Sequence, residues 1–119
     1  MPTLRMPLLA LALSALVGLT GCDSAEERAE EHYQNSLELL AEGDVDRALV
    51  ELRNVFELNG LHREARLTYA EVMRDQGNFQ QAYSHYLLLS EQFPEDTLPR
   101  KWLFRIAMMG GNFDEARTH

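Results

Sequence analysis

The hexapeptide glycine, Asp or Asn, apolar, two polar, alanine recurs along this chain at a fixed interval. It stands at Gly43-Asp44-Val45-Asp46-Arg47-Ala48, Gly77-Asn78-Phe79-Gln80-Gln81-Ala82 and Gly111-Asn112-Phe113-Asp114-Glu115-Ala116, with the glycines 34 residues apart each time. A constant period of this length means that one supersecondary unit is stacked on copies of itself, so the fold follows from what one unit is. Glycine reaches φ > 0 without steric penalty, so Gly43, Gly77 and Gly111 can each end a helix in the left-handed conformation. The next residue, Asp44, Asn78 or Asn112, is a favoured N-cap for a following helix, and Asn78 with Gln81 and Asn112 with Glu115 have capping-box spacing. Ala48, Ala82 and Ala116 then leave almost no side chain at a place where two helices can approach closely. Each unit reads as helix, tight turn, helix.

The hydrophobic periodicity agrees. Val45, Ala48, Leu49, Leu52, Val55 and Phe56 share one face at i, i+3, i+4, i+7 spacing, and Phe79, Ala82, Tyr83, Tyr86, Leu89 and Phe93 do so one period later. No alternating strand pattern competes with them. Helices are therefore expected at 26–42, 45–59, 62–76, 79–92, 98–110 and 113–119, an all-α solenoid of antiparallel helix pairs. The last helix is short, which leaves the apolar face of Trp102, Leu103, Ile106 and Ala107 expected to be partly uncovered.

A period of 34 with this hexapeptide resembles the tetratricopeptide repeat (TPR), in which each repeat is a helix A followed by an antiparallel helix B. Tyr69-Ala70, Tyr86 and Pro94 also match family positions, whereas Gly60 replaces the preferred closing proline, Leu52 the preferred aromatic, and the usual tryptophan near each helix A start is missing. The resemblance implies about two and a half repeats, at 29–62, 63–96 and, incomplete, 97–119. The incomplete third repeat leads to a second expectation, that the chain is an N-terminal piece of a larger repeat protein with no independent activity.

Upstream of the repeats, residues 1–20 hold one basic residue, Arg5, no acidic residue, and an apolar run from Leu8 to Leu19. That run is shorter than the roughly 20 residues needed to cross a bilayer, so the segment reads as a secretory signal. Its end, Leu19-Thr20-Gly21-Cys22, resembles the lipobox of bacterial lipoproteins, and Cys22 is the only cysteine. The resemblance implies a signal peptide over 1–21, cleavage before Cys22 and acyl chains on Cys22; the polar, charged composition after it reads as a tether over 22–28 or the frayed start of a helix. The resemblance also implies a protein held on a membrane of the bacterial envelope and facing the periplasm. Asp23 directly after the cysteine resembles the inner-membrane retention signal of enteric bacteria, a rule that varies among bacteria, so the inner membrane is favoured over the outer.

Charge and residue types narrow the function further. The formal net charge is −8, which disfavours nucleic acid and anionic lipid as partners. A lone cysteine excludes an internal disulfide and a multi-cysteine metal site. His32, His62, His85 and His119 have no metal-ligand spacing, and most of them fall at expected helix ends or surfaces, where they read as solvated. No phosphate-cradling loop or dinucleotide fingerprint is present, and acidic pairs such as Glu26/Glu27 read as a solvated helix face. No enzyme, metal, cofactor or small-molecule substrate is expected.

What remains is recognition of a protein or peptide segment. In the TPR family the A helices line a concave groove, and its positions fall here on Tyr33, Leu37, Leu40 and Ala41, then Leu67, Glu71, Arg74 and Asp75, then Lys101, Arg105, Met108 and Met109. This groove runs from apolar to basic, although Leu37, Leu40 and Met108 suit a core role equally well. The lysine and asparagine of repeats that clamp chaperone tails are replaced by Tyr33 and Leu37, so that clamp is not present. Arg74, Lys101 and Arg105 are expected to suit an acidic or carboxylate-bearing segment. By analogy of build, envelope, pilus or export assembly is the implied setting.

Overall fold

The repeat hexapeptides become the turns of the fold. The structure, a computed structural model, describes residues 24–110. It contains five helices: α1 (Ala25–Ala41), α2 (Val45–Leu58), α3 (Arg63–Asp75), α4 (Phe79–Gln92) and α5 (Thr97–Met109). Their ends lie within one residue of those read from the sequence, and no strand occurs among the described residues. The hexapeptide at Gly111, with Ala116, the helix expected over 113–119, and the lipobox Leu19, Thr20, Gly21 and Cys22 all lie outside the described residues.

Gly43 and Gly77 have φ of +83° and +78°, the only positive values among the described residues. Around Gly43 the Asp44 N–H reaches the Leu39 carbonyl (2.9 Å) and the Gly43 N–H the Leu40 carbonyl (3.1 Å). The second turn repeats this with Asn78 to Met73 (2.8 Å) and Gly77 to Arg74 (2.9 Å). These are the paired 6→1 and 5→2 bonds of a Schellman ending. The same Asp44 and Asn78 then cap the next helix, accepting from the Arg47 and Gln81 N–H groups. One residue thus closes one helix and opens the next, so the turn has no slack. A Cβ added at Gly43 or Gly77 would meet nothing within 4 Å, which leaves the backbone conformation as the sole reason for glycine. Gly77→Ala is therefore expected to cost about 1 kcal/mol and Gly77→Asn less, read as shifts in the midpoint of chemical denaturation. Equal losses for both would show that φ is not the cause.

Of the two readings of the charged stretch after Cys22, the start of a helix holds for residues 25–28. Ser24 caps α1 by accepting from the Glu27 N–H (3.1 Å), and Glu26 and Glu27 sit in the first turn, where the helix dipole favours negative charge. Residues 25–28 are accordingly wound into α1.

Helix pairing follows the small residues. α1 packs on α2, α3 on α4, and α5 on α4, with α2 touching α3 to join the first pair to the second. Ala48 and Ala82 are fully buried, as are Leu52, Val55, Tyr86 and Leu89 on the same B-helix faces, and Tyr69, Ala70, Met73 and Leu103 complete the core from the A helices. Two expectations need correction. Phe79, counted on the inner face of α4, is 42 % exposed, because it opens that helix beside Met109 and Gly110 in a cleft of about 580 Å³. Of the face expected to be partly uncovered, Trp102 is half-buried but Leu103, Ile106 and Ala107 are buried within the core, and the exposed apolar residues of α5 are Phe104, Met108 and Met109. Phe104 is the positional equivalent of Ala70 and Ser36, one and two periods earlier, which are fully buried; a phenyl ring at that position stays 47 % exposed.

Candidate functional site

The groove residues expected from the sequence lie on α1, α3 and α5, the first helices of the successive pairs. On α1, Leu37 is exposed, Leu40 is half-buried, Ala41 is exposed, and the Tyr33 ring lies 4.8 Å from the His62 ring. His62 caps α3, accepting from the Ala65 N–H on Nδ1 (3.1 Å) while Nε2 bonds Glu30 (2.9 Å). Tyr33 and Glu30 are thereby tied to the start of α3. Glu30 also accepts from the Gln34 side chain, and these two bonds hold its carboxyl below the usual carboxylate range.

At the other end of α3 the geometry is tighter. Arg74 donates from Nη1 to the Tyr86 hydroxyl (3.0 Å) and from Nη2 to Asp75 (3.4 Å), and its guanidinium lies 3.8 Å from the centre of the Trp102 ring. Arg105, one turn beyond Trp102 on α5, lies 5.1 Å from the same centre. Trp102 is also stacked on Tyr86, with ring centres 6.1 Å apart and planes 15° apart. Two cations and an aromatic partner therefore converge on one indole, an arrangement each cation–π contact favours by about 1 kcal/mol. Burial pushes the Tyr86 hydroxyl up to about 12, against the opposing pull of Arg74. Leu67 and Glu71 are half-buried on α3, whereas Lys101, Arg105 and Met108 are exposed on α5.

The structure thus brings Arg74 and Arg105 together on Trp102, whereas Tyr33 lies against His62 at the other end of α3. Trp102 is the residue that sequence reasoning did not place in the groove; its i, i+3 spacing from Arg105 was the available signal. Charge is graded across these helices as well. α1 carries Glu26, Glu27, Glu30, Glu31 and Glu38 against Arg28, while α5 carries Arg100, Lys101 and Arg105 and no acidic residue.

His119 lies outside the described residues, and the three histidines within them are not the solvated side chains expected. His32 bonds Glu51 across α1 and α2 (2.5 Å), His62 is nearly enclosed, and His85 is packed among Arg66, Tyr69 and Phe56. Each was drawn inward by a partner 16 to 32 residues away in sequence, which local pattern does not reveal. Among the described residues, no group of three or more His, Cys, Asp or Glu side chains could hold a metal ion.

A family model described as tetratricopeptide repeat matches residues 39–98. The chain belongs to the tetratricopeptide-repeat family. TPR repeats are scaffolds that mediate protein–protein interaction, and the matched segment covers α2, α3 and α4 together with the turns that join them. No curated protein matches the chain. Within this TPR unit, Leu37 on α1 and Met108 on α5 are exposed apolar side chains, and Arg74, Trp102 and Arg105 form a cluster across α3 and α5.

Proposed function

We propose that this TPR protein is a lipid-anchored scaffold facing the periplasm, whose A-helix face binds a segment of a partner protein. The observation that carries the binding half is the convergence of Arg74 and Arg105 on Trp102 beside exposed Lys101 and Met108, a basic and apolar surface in a chain of net charge −8. Such a surface suits a partner segment bearing carboxylates and one or two apolar anchors. The anchoring half rests on the sequence Leu19-Thr20-Gly21-Cys22, in which Cys22 takes the lipid, and Asp23 favours the inner membrane. Acyl chains supply the membrane affinity, since an acidic protein is repelled by anionic lipid and two chains are needed for stable attachment. No described helix is long and apolar enough to cross a membrane.

The test is crosslinking in native membranes with a photo-reactive residue at Leu67. One specific adduct is expected, weakened at least several-fold by Arg105→Glu, and Cys22→Ser is expected to release the protein from the membrane fraction. A Cys22→Ser protein that stays with the membrane refutes the anchor. Adducts that are absent, or that ignore the charge reversal at Arg105, refute the binding surface.

A further inference from the structure

Where the first helix pair meets the second, a buried cation faces an imidazole. Arg66 on α3 is only 8 % exposed, lies over the Phe56 ring of α2 at 4.2 Å, and points Nη2 at the Gly60 carbonyl in the α2–α3 turn (3.4 Å). Its Nη1 donates to Nδ1 of His85 on α4 (3.3 Å). The same Gly60 carbonyl accepts from the Gln92 side chain, so α3 and α4 both grip the turn that joins the two pairs. Above this grip, the His85 ring packs 4.4 Å from Tyr69 and 6.2 Å from Phe56, and the two last rings meet edge to face at 5.8 Å.

We propose that the His85–Arg66 contact is an acid-sensitive latch that holds α3 and α4 against α2, and that protonation of His85 loosens the junction between the two helix pairs. An Arg side chain can only donate, so the bond exists only while His85 Nδ1 offers a lone pair. A proton added there turns a hydrogen bond into contact between two cations, a half-buried imidazolium and a buried guanidinium, and the relief is for one of them to leave. Departure of Arg66 uncovers the Phe56 ring and frees the Gly60 carbonyl; departure of His85 unstacks Tyr69.

Among the described residues, no acidic side chain bonds the ring. From α3 it faces Arg66 and Tyr69, whose hydroxyl accepts from Arg53 of α2 (3.3 Å), and from α2 it faces the Phe56 ring. Burial first, and then the charge of Arg66, push the His85 ring down to about 4 from its ordinary 6.5. Between those two values the unfolded or opened chain binds the proton more readily than the closed one. The latch is therefore complete above pH 6.5 and is lost progressively as pH falls toward 4. Its place matters because α2 and α3 are joined across this junction, and the relative setting of the A helices depends on it. The inference concerns closure of the junction and stands apart from which partner the outer surface binds.

Two measurements on the full-length chain in detergent micelles test it. By NMR, the His85 ring is expected to titrate near pH 4. By hydrogen exchange, amides of the α2–α3 turn and of α3 are expected to open on the order of 100-fold more at pH 4.5 than at pH 7, after correction for intrinsic rates. His85→Gln keeps an acceptor for Arg66 but cannot take up a proton, so most of that acid response should vanish. A His85 ring that titrates near 6.5, or a His85→Gln protein with the acid response of the wild type, overturns the proposal. If His85→Gln does not fold, the titration of the wild-type ring decides alone.

Discussion

Tyr86→Ala is expected to remove about 4 kcal/mol of stability, measured as the change in unfolding free energy from chemical denaturation followed by circular dichroism. Tyr86 is the largest fully buried side chain in the described structure, and three separate interactions meet on it. Its ring fills the space between α3, α4 and α5, its face stacks on Trp102, and its hydroxyl accepts the Arg74 N–H. Tyr86→Phe separates these contributions, since it keeps the ring and deletes only the hydroxyl. That change should cost about 1 kcal/mol, the net worth of one such bond with a partner that retains Asp75 and the Trp102 face. A domain of this size is stable by roughly 5–10 kcal/mol, so Tyr86→Ala should bring the protein close to its unfolding midpoint while Tyr86→Phe leaves it folded. A loss below about 2 kcal/mol for the alanine variant would mean that the site collapses readily and that Tyr86 is not the pivot of the second repeat. Binding adds a second readout. Loss of Tyr86 frees Arg74 and one face of Trp102, so crosslinking through the A-helix face should fall in parallel with stability for alanine but hardly at all for phenylalanine.

The parts of this molecule that were legible in the sequence are those governed by short-range chemistry. Positive φ at Gly43 and Gly77 and capping by Asp44 and Asn78 are decided within six residues, which is why the turns and helix ends came out almost as read. The buried faces of α2 and α4 were legible because a 3.6-residue period marks which side is apolar. That period does not say whether something covers the side it marks. Phe79 fits the pattern as well as Tyr86 does, yet it is exposed in a cleft at the start of α4 whereas Tyr86 is fully buried and meets Arg74 of α3 and Trp102 of α5. The same limit applies to the candidate site. Arg66 and His85 both look like surface residues in sequence, and burial of the guanidinium is tolerable only because Gly60, His85 and the Phe56 ring converge on it from three elements. Arg74, expected to point at a ligand, is already engaged by Tyr86, Asp75 and Trp102, so its contribution to recognition passes through Trp102 and its neighbour Arg105.

Leu52 sits one period before Tyr86 and is equally inaccessible, so the first repeat offers a parallel experiment. Leu52→Ala is expected to cost about 3 kcal/mol, combining the transfer of three carbon atoms to water with the cavity they leave. Its neighbours in the core, Leu49 and Val55, are carried on α2 itself, and rigid helix ends at Asp44 and Asn59 restrain any collapse into the hole. Leu52→Met nearly preserves volume and should cost less than about 1.5 kcal/mol. Val50, two residues earlier on the opposite face of α2, is 48 % exposed, so Val50→Ala should change stability by no more than about 0.5 kcal/mol. The contrast between positions 50 and 52 distinguishes an amphipathic helix packed on α1 and α3 from one held mainly by local propensity, for which the two alanine variants would both be nearly neutral. Comparison with Tyr86→Ala goes one step further. If the two repeats fold as one cooperative unit, each substitution should lower the stability reported from both repeats by the same amount. If the α2–α3 junction is the weak point, Leu52→Ala should melt α1 and α2 first while α3 to α5 persist, and hydrogen exchange resolved by segment would record two transitions in place of one.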